Sequence, residues 1–397
     1  MSSGLDRLLG ARLPSPPEAL RRGPFRSGSF PSPLHSERRA ARTGVWLGLA
    51  FLVCFVTGLI SHLIQHPPGW FSWPASPAWL YRVTQGVHVG TGLAAIPLFL
   101  VKLWTVYPKL FEWPPAATVA RAISRVSVLV LVGACAMQLL TGLINLAEWY
   151  PWAFFFTTTH YWTGWLAIGA VAVHVGAKAP EIRRGLARRG PSGVPAEEAA
   201  ESGSASRRTF LLATGLGVGA VTLTTVGQSL SPLGAVSVLS PRVPGVGPQG
   251  LPVRQTAMRA KVTDVGPDYR LVVDGPHRLE LSLADLAAFP QRTERLPITC
   301  VEGWSASATW TGVRLGDLLA EAGLPRDTEV TVESLQEHGL YRVSTVAPPH
   351  ASSPRTLLAT GLNGSPLEPD HGYPVRLIAP NRPGVLQTKW VTRVAPV

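Results

Sequence analysis

Four long apolar segments fill the first half of the chain, about Thr43 to Ile64, Val83 to Val106, Ala122 to Leu146 and Thr158 to Ala177. Each runs to about 20 residues or more, enough at about 1.5 Å per residue to cross a hydrocarbon core of about 30 Å. They read as membrane helices rather than as a buried soluble bundle. Their flanks set the orientation. Arg38, Arg39 and Arg42 precede the first span, Lys109, Arg121 and Arg125 follow the second, and Lys178, Arg183, Arg184, Arg188 and Arg189 follow the fourth. Lys and Arg collect on the cytoplasmic side, which places the N-terminus and these loops there. The alternate loops, Gln65 to Arg82 and Ala147 to Thr159, carry Trp70, Phe71, Trp73, Trp79, Trp149 and Trp152, as an outer interfacial belt does.

The same placement accounts for a formal charge of +12 over 397 residues. A basic balance points to nucleic acid or to an anionic membrane. Here most of the surplus sits between apolar spans, and no aromatic and basic interleaving marks a nucleic-acid surface. The expected partner is the lipid bilayer and not a nucleic acid. The tail from Met1 to Arg42 is rich in Pro, Ser and Arg without a period, and reads as largely disordered and cytoplasmic. Its apolar run comes too late for a cleavable secretory signal.

Histidine inside a membrane is costly and is a functional candidate by default. His160 and His174 share the fourth span, 14 residues apart. At about 100° and 1.5 Å per residue they return to within about 40° of one face, separated by about 21 Å of rise. Two haems stacked across a membrane need that arrangement on one helix. His88, near the outer end of the second span, is level with His160, and the pair could hold an outer haem axially. His174 lacks an obvious partner, because Val45 and Trp46 stand where the first span would supply one. His35 precedes that span and reaches only if the helix starts early; His62 lies near its outer end. Cys54 and Cys135 read as small buried side chains.

This pattern resembles the four-helix b-type cytochrome subunits of formate dehydrogenases and hydrogenases over about residues 35 to 180. His88, His160 and His174 match; the first-helix position departs. The resemblance implies a cytochrome domain over residues 43–178, haem b, one or two per chain, and electron exchange with quinone.

Residues 179–206 read as a cytoplasmic linker, with Pro191 to Ser206 rich in Gly, Ser, Glu and Ala. Then Ser206-Arg207-Arg208-Thr209-Phe210-Leu211-Leu212 opens a mildly apolar, Gly-rich run over 207–230. The paired arginines resemble a twin-arginine export signal, and are equally compatible with positive-inside anchoring of a fifth span. Either way, a cytoplasmic N-terminus and five crossings leave the C-terminal part outside a plasma membrane, tethered by the fifth helix.

From about residue 240 to 397 the pattern changes to short strands and turns: Tyr269 to Val273, Arg278 to Leu283, Leu296 to Ile298, Glu329 to Glu333, Tyr341 to Val346, Val375 to Ile378 and Trp390 to Val394. With helices at Ser282 to Phe289 and Leu315 to Ala322, this is an α+β domain. Cys300 is its only cysteine. An exported thiol with no partner for a disulfide is a liability unless something, such as a soft metal, holds it.

Cys300-Val301-Glu302-Gly303-Trp304-Ser305, followed by Trp310-Thr311-Gly312-Val313-Arg314-Leu315, closely resembles the molybdenum-binding segment of the sulfite oxidase family, in particular its periplasmic methionine sulfoxide reductase branch. Leu362-Asn363-Gly364 with Asp370-His371-Gly372-Tyr373-Pro374 resembles the family's second signature, and Gly384 through Lys389-Trp390 its third. The resemblance implies the molybdopterin-binding fold, molybdenum held by the Cys300 thiolate beside molybdopterin, and pterin-phosphate contacts from Lys389 and Arg382. It also draws in Asn363, His371, Tyr341 and Ser344. Sulfite oxidases place an Ala-Gly-Asn segment and a basic anion pocket after the cysteine; this chain does not, which argues against sulfite.

The sequence thus points to a membrane-anchored, molybdopterin-dependent oxidoreductase. It would transfer oxo groups to or from a small molecule, possess a b-type haem module, and exchange electrons with quinone. The alternative is a transmembrane cytochrome whose soluble domain only docks a partner.

Overall fold

The computed structural model describes residues 8–30, 35–186, 200–229, 231–243, 245–262 and 265–397. Residues 187–199 of the expected 179–206 linker, with Arg188 and Arg189, lie outside the described residues. The chain divides into two compact units, Met1–Phe55 with Gly90–Thr222, and Val56–Val89 with Leu223–Val397.

Five long helices form in the first half: α1 (Glu37–Gln65), α2 (Leu80–Val106), α3 (Val119–Leu146), α4 (Phe156–Leu186) and α5 (Ala200–Thr225). Among the described residues four stretches are long and apolar enough to cross a membrane: Glu37–Gln65, Leu80–Phe111, Val119–Leu146 and Arg208–Gln228. The expected fourth span is a helix of 31 residues but is not among them. His160, His174 and a run of Trp, Tyr, Thr and Gly dilute its apolar character.

Helix α1 also begins at Glu37, earlier than the apolar period suggests, and takes in residues assigned above to a disordered tail. Hydropathy cannot see a polar first turn. Glu37 complements the helix N-terminus there, and the Lys102 ammonium donates to the Ala40 carbonyl at 2.7 Å. Short 3-10 turns at Glu18–Leu20 and Gly23–Phe25 give further local order to the same tail. Thr118 caps α3, its hydroxyl accepting from the Arg121 N–H. Phe51, Phe99, Ala134, Cys135 and Ala167 make the buried core of this unit.

The second unit carries two sheets. The first runs β2–β1–β10–β5–β6, formed by β1 (Leu271–Val273), β2 (Leu279–Leu281), β5 (Val330–Ser334), β6 (Val343–Val346) and β10 (Val391–Pro396). Only the β1–β10 pair in it is parallel. The second runs β3–β4–β7–β8, formed by β3 (Gln291–Thr299), β4 (Ser305–Arg314), β7 (Leu357–Leu362) and β8 (Ser365–Pro366), with β9 (Arg376–Ile378) also on β7. Helices α6 (Leu283–Ala288) and α7 (Leu315–Glu321) complete the α+β fold, α6 opened by a capping box between Ser282 and Asp285. One core gathers Leu271, Leu286, Leu315, Leu318, Val332 and Val394; another gathers Leu296, Ile298, Cys300, Trp304, Trp310 and Leu357.

The outer part of this unit is the helical hairpin over residues 56–89. Asn381 fastens it. This buried residue has φ 56°, a left-handed conformation that Asn tolerates better than most. Its Oδ1 accepts from the Tyr81 N–H at 2.6 Å, its Nδ2 donates to the Pro74 carbonyl at 2.6 Å, and its own carbonyl accepts from the Trp73 indole at 2.9 Å. Ile64, Tyr81 and Leu386 pack beneath, with Phe71, Trp73 and Tyr341 around them. Replacing Asn381 by Ala removes both side-chain bonds and leaves alanine at positive φ. We expect a loss of about 2–4 kcal/mol in this attachment, read as faster amide hydrogen exchange across residues 70–85.

Candidate functional site

Strands β3 and β4 pair in register from Gln291↔Val313 to Thr299↔Ser305, and the turn between them carries Cys300. Gly303, at φ 103°, lets the chain reverse: its N–H donates to the Cys300 carbonyl at 3.0 Å, and the Cys300 N–H donates to the Trp304 carbonyl at 2.8 Å. The thiol is buried, 4% exposed. Burial, reinforced by the Glu302 carboxylate, pushes it well above the ordinary thiol range. Such a sulfur is a poor free nucleophile, and it ionises when a metal takes the place of its proton.

Around it stand charged groups that are not random neighbours. Cys300 Sγ donates to Glu302 Oε2 at 3.6 Å, and the other oxygen of this buried carboxylate is ion-paired with the half-exposed Arg254. The Tyr341 phenol, raised chiefly by burial, also feels the charges of Arg254 and Cys300, and donates to Gln65 Oε1 at 3.0 Å.

The same domain buries a set of basic side chains, of which Lys389 feels the charge of Cys300. Arg376, 3% exposed, stacks over the Trp310 ring at 5.2 Å and donates to the His371 carbonyl at 3.1 Å; burial brings its guanidinium down to about 9. Arg382, brought down by burial to about 10, donates to the Thr345 carbonyl at 2.7 Å. Lys389 donates to the Asp370 carbonyl at 2.6 Å and the Gln255 carbonyl at 2.8 Å, and burial, then the nearby Arg376, hold its ammonium well below its usual value. His350 is pushed down to about 3 by burial and Arg382, and His371 to about 4 chiefly by burial.

Buried donors exceed acceptors here. The indole N–H groups of Trp304 and Trp310, Arg376 Nε and Arg382 Nη1 are buried with no hydrogen-bond partner among the described residues. A group that is anionic at one end and rich in acceptors fits such a set of donors, and molybdopterin, with a phosphate and a pterin ring, is both. Among the described residues no cluster of three or more His, Cys, Asp or Glu could hold a metal. A metal on Cys300 would therefore draw its remaining ligands from the cofactor and from solvent.

Fold and site together define a molybdopterin-binding oxidoreductase domain. Residues 258–396 match the family model described as the oxidoreductase molybdopterin binding domain. Among curated proteins the chain is similar to mitochondrial sulfite oxidase of Rattus norvegicus, 33% identical over 174 residues, covering 36% of this chain and 32% of that protein. It is also similar to the protein-methionine-sulfoxide reductase catalytic subunit MsrP of Xanthomonas campestris, 35% identical over 127 residues, covering 29% of this chain and 39% of that one. Among solved structures, the sulfane dehydrogenase SoxCD of Paracoccus pantotrophus aligns at 26% identity and a TM-score of 0.33, over 38% of this chain and 43% of that one. The chain thus spans about a third of the length of the sulfite oxidases it matches, 32% for the rat protein.

The expected site residues fall into distinct places. Cys300, Tyr341 and Lys389 share one electrostatic neighbourhood. Arg382 and His371 belong to the set of buried basic side chains, the His371 ring 2.6 Å from the Pro248 carbonyl. Ser344 is buried and pairs with the Thr388 hydroxyl at 2.7 Å, which ties β6 to the Gly384–Lys389 loop. Asn363 uses both ends of its amide on the scaffold, accepting from the Thr309 N–H at 3.0 Å and donating to the Gln249 carbonyl at 2.8 Å. Arg254, Arg376 and His350 were not singled out. Arg376 stands two residues past the quoted Asp370 to Pro374 motif; Arg254 and His350 sit in segments without period or signature.

The histidines of the first half are engaged as follows. His88 Nδ1 lies 3.3 Å from the Thr57 hydroxyl, and its ring fills the space beside Gly58. His160 Nδ1 and Nε2 lie 2.9 Å from the Thr141 hydroxyl and 3.1 Å from the Gln138 amide. His35 packs on Trp104 and Tyr107, His62 stacks on His66 at 4.9 Å, and His174 is half-buried on α4.

Acid should unfold this domain through its histidines. Between pH 6.5 and about 4 the unfolded chain binds protons at His350 and His371 while the folded domain does not. Their contribution is therefore complete above 6.5 and lost as pH falls below it. We expect the melting midpoint of the cofactor-free protein to drop over that range, and His350→Gln to flatten the slope by about one proton.

Proposed function

We propose that the chain is a membrane-anchored molybdopterin oxidoreductase that reduces a small oxo compound at the outer face, using electrons that reach it from quinol through haem b. The observation that carries the coupling is the grip of α2 on the Cys300 turn. Gln85 Nε2 donates to the Val301 carbonyl at 2.6 Å, and Val89 packs where a side chain on Gly303 would stand. His88, the expected outer haem ligand, lies between these two residues on the same helix. A haem on His88 would be linked to the loop that holds the metal through a few residues of α2 and the Gln85 hydrogen bond to Val301.

Other features support the reading. The loop between α1 and α2 belongs to the same compact unit as residues 223–397, which favours one side for both, and the Lys and Arg bias favours the outer one. The start of α1 at Glu37 brings His35 next to the helix, as a ligand for an inner haem opposite His174 requires. Haem ligation by His160 would exchange one of its present side-chain bonds for iron.

When bound, the molybdenum cofactor supplies two-electron oxo transfer. The chain does the rest: Cys300 anchors the metal, the Arg376, Arg382 and Lys389 cations hold the phosphate end, and Trp310 with Arg376 shapes the floor. For a sulfoxide the balance is one S=O bond broken, two protons and two electrons taken up, and one thioether and one water released. The quinol that supplies the electrons also yields two protons. The match to MsrP, named as a sulfoxide reductase, favours this direction.

The test is Cys300→Ser in the full-length detergent-purified chain. Molybdenum content should fall with the loss of at least about 100-fold in sulfoxide reduction, while the reduced-minus-oxidised haem spectrum stays. A wild-type preparation with neither molybdenum nor a haem spectrum would sink the proposal.

A further inference from the structure

Beside Cys300 stands a positive charge that is already paired. Arg254 lies ahead of the stretch matched by the family model, on a loop over 245–256 that is clipped to the domain: Gln249 donates to the carbonyls of Leu362 and Pro366, and His371 meets Pro248. Its guanidinium is half-exposed and near enough to bias both Cys300 and Tyr341. A lone arginine there would recruit anions such as sulfite or sulfate. It is not alone. Glu302, two residues after Cys300 and 3% exposed, is held against it in an ion pair.

We propose that the Arg254–Glu302 pair fixes the substrate entrance at zero net charge and so selects uncharged oxo compounds, sulfoxides above all, against oxyanions. This rests on the molybdoenzyme reading above and adds to it which residues set the specificity. The device is repulsive as much as attractive. A buried carboxylate two residues from the thiol penalises any anion that approaches the metal, and it offsets the charge of the arginine whose Nε it holds. An uncharged S=O group meets no such penalty, and can still accept a hydrogen bond from the exposed edge of Arg254.

Sulfate is the probe, added at constant ionic strength to the molybdenum-loaded full chain. Binding is read by calorimetry and by competition with sulfoxide reduction driven by reduced viologen. Glu302→Gln preserves shape and releases Arg254, so it should tighten sulfate binding by at least about tenfold over wild type. The double variant Glu302→Gln/Arg254→Gln should lose that gain. No gain in the single variant, or a gain that survives in the double, overturns the proposal. Should Glu302→Gln fail to fold or to load metal, wild type alone decides: uncharged dimethyl sulfone should compete at least about tenfold better than sulfate, and the reverse order overturns the idea. Molybdenum analysis of the wild type comes first. A metal-free wild type removes the enzyme assignment, whereas a loaded protein that binds sulfate tightly removes only this specificity.

Discussion

Cations held out of water and hydrogen-bonded to backbone carbonyls are the constraint on which the C-terminal domain depends. Arg376 and Arg382 are buried, Lys389 is desolvated, and each gives its hydrogen bonds to backbone carbonyls rather than to an acid. Desolvation costs each ion several kcal/mol, and carbonyl dipoles return only part of that. The balance is left for an anionic ligand. A site built in this way is stable when filled and strained when empty, so cofactor binding and folding share one free energy.

The two halves of the chain were legible to different degrees. The apolar segments were long enough to read directly, and only α4 departed, because its histidines and polar aromatics are what a membrane helix can least carry without partners. In the catalytic domain, strands with β-branched alternation such as Glu329 to Glu333 and Trp390 to Val394 lie close to where pattern places them, as β5 and β10. Strand β4 was missed for a physical reason. Its first residues, Ser305, Ala306, Ser307 and Ala308, are small, so the apolar signal is weak, yet most of the strand is buried between β3 and β7. Strand β7 was missed likewise, since Ala359, Thr360 and Gly361 interrupt its run.

The candidate site shows the same division. Cys300, Lys389 and His371 were visible through a resemblance carried by motif residues. Arg254 was not, because a loop arginine has no period, and its pairing with Glu302 depends on the 245–256 segment folding back across the domain. Gln85 was hidden for another reason: a polar residue in an apolar helix reads as noise until its amide is seen on the Val301 carbonyl.

Strand β10 lies in the interior of its sheet, parallel to β1 on one side and antiparallel to β5 on the other. Lys389 immediately precedes it. The ribosome therefore delivers all five long helices well before it delivers the residues that complete this sheet. The helices can form on the nascent chain, but the sheet and the buried cations beside it have to wait until that late strand has emerged and slotted into place.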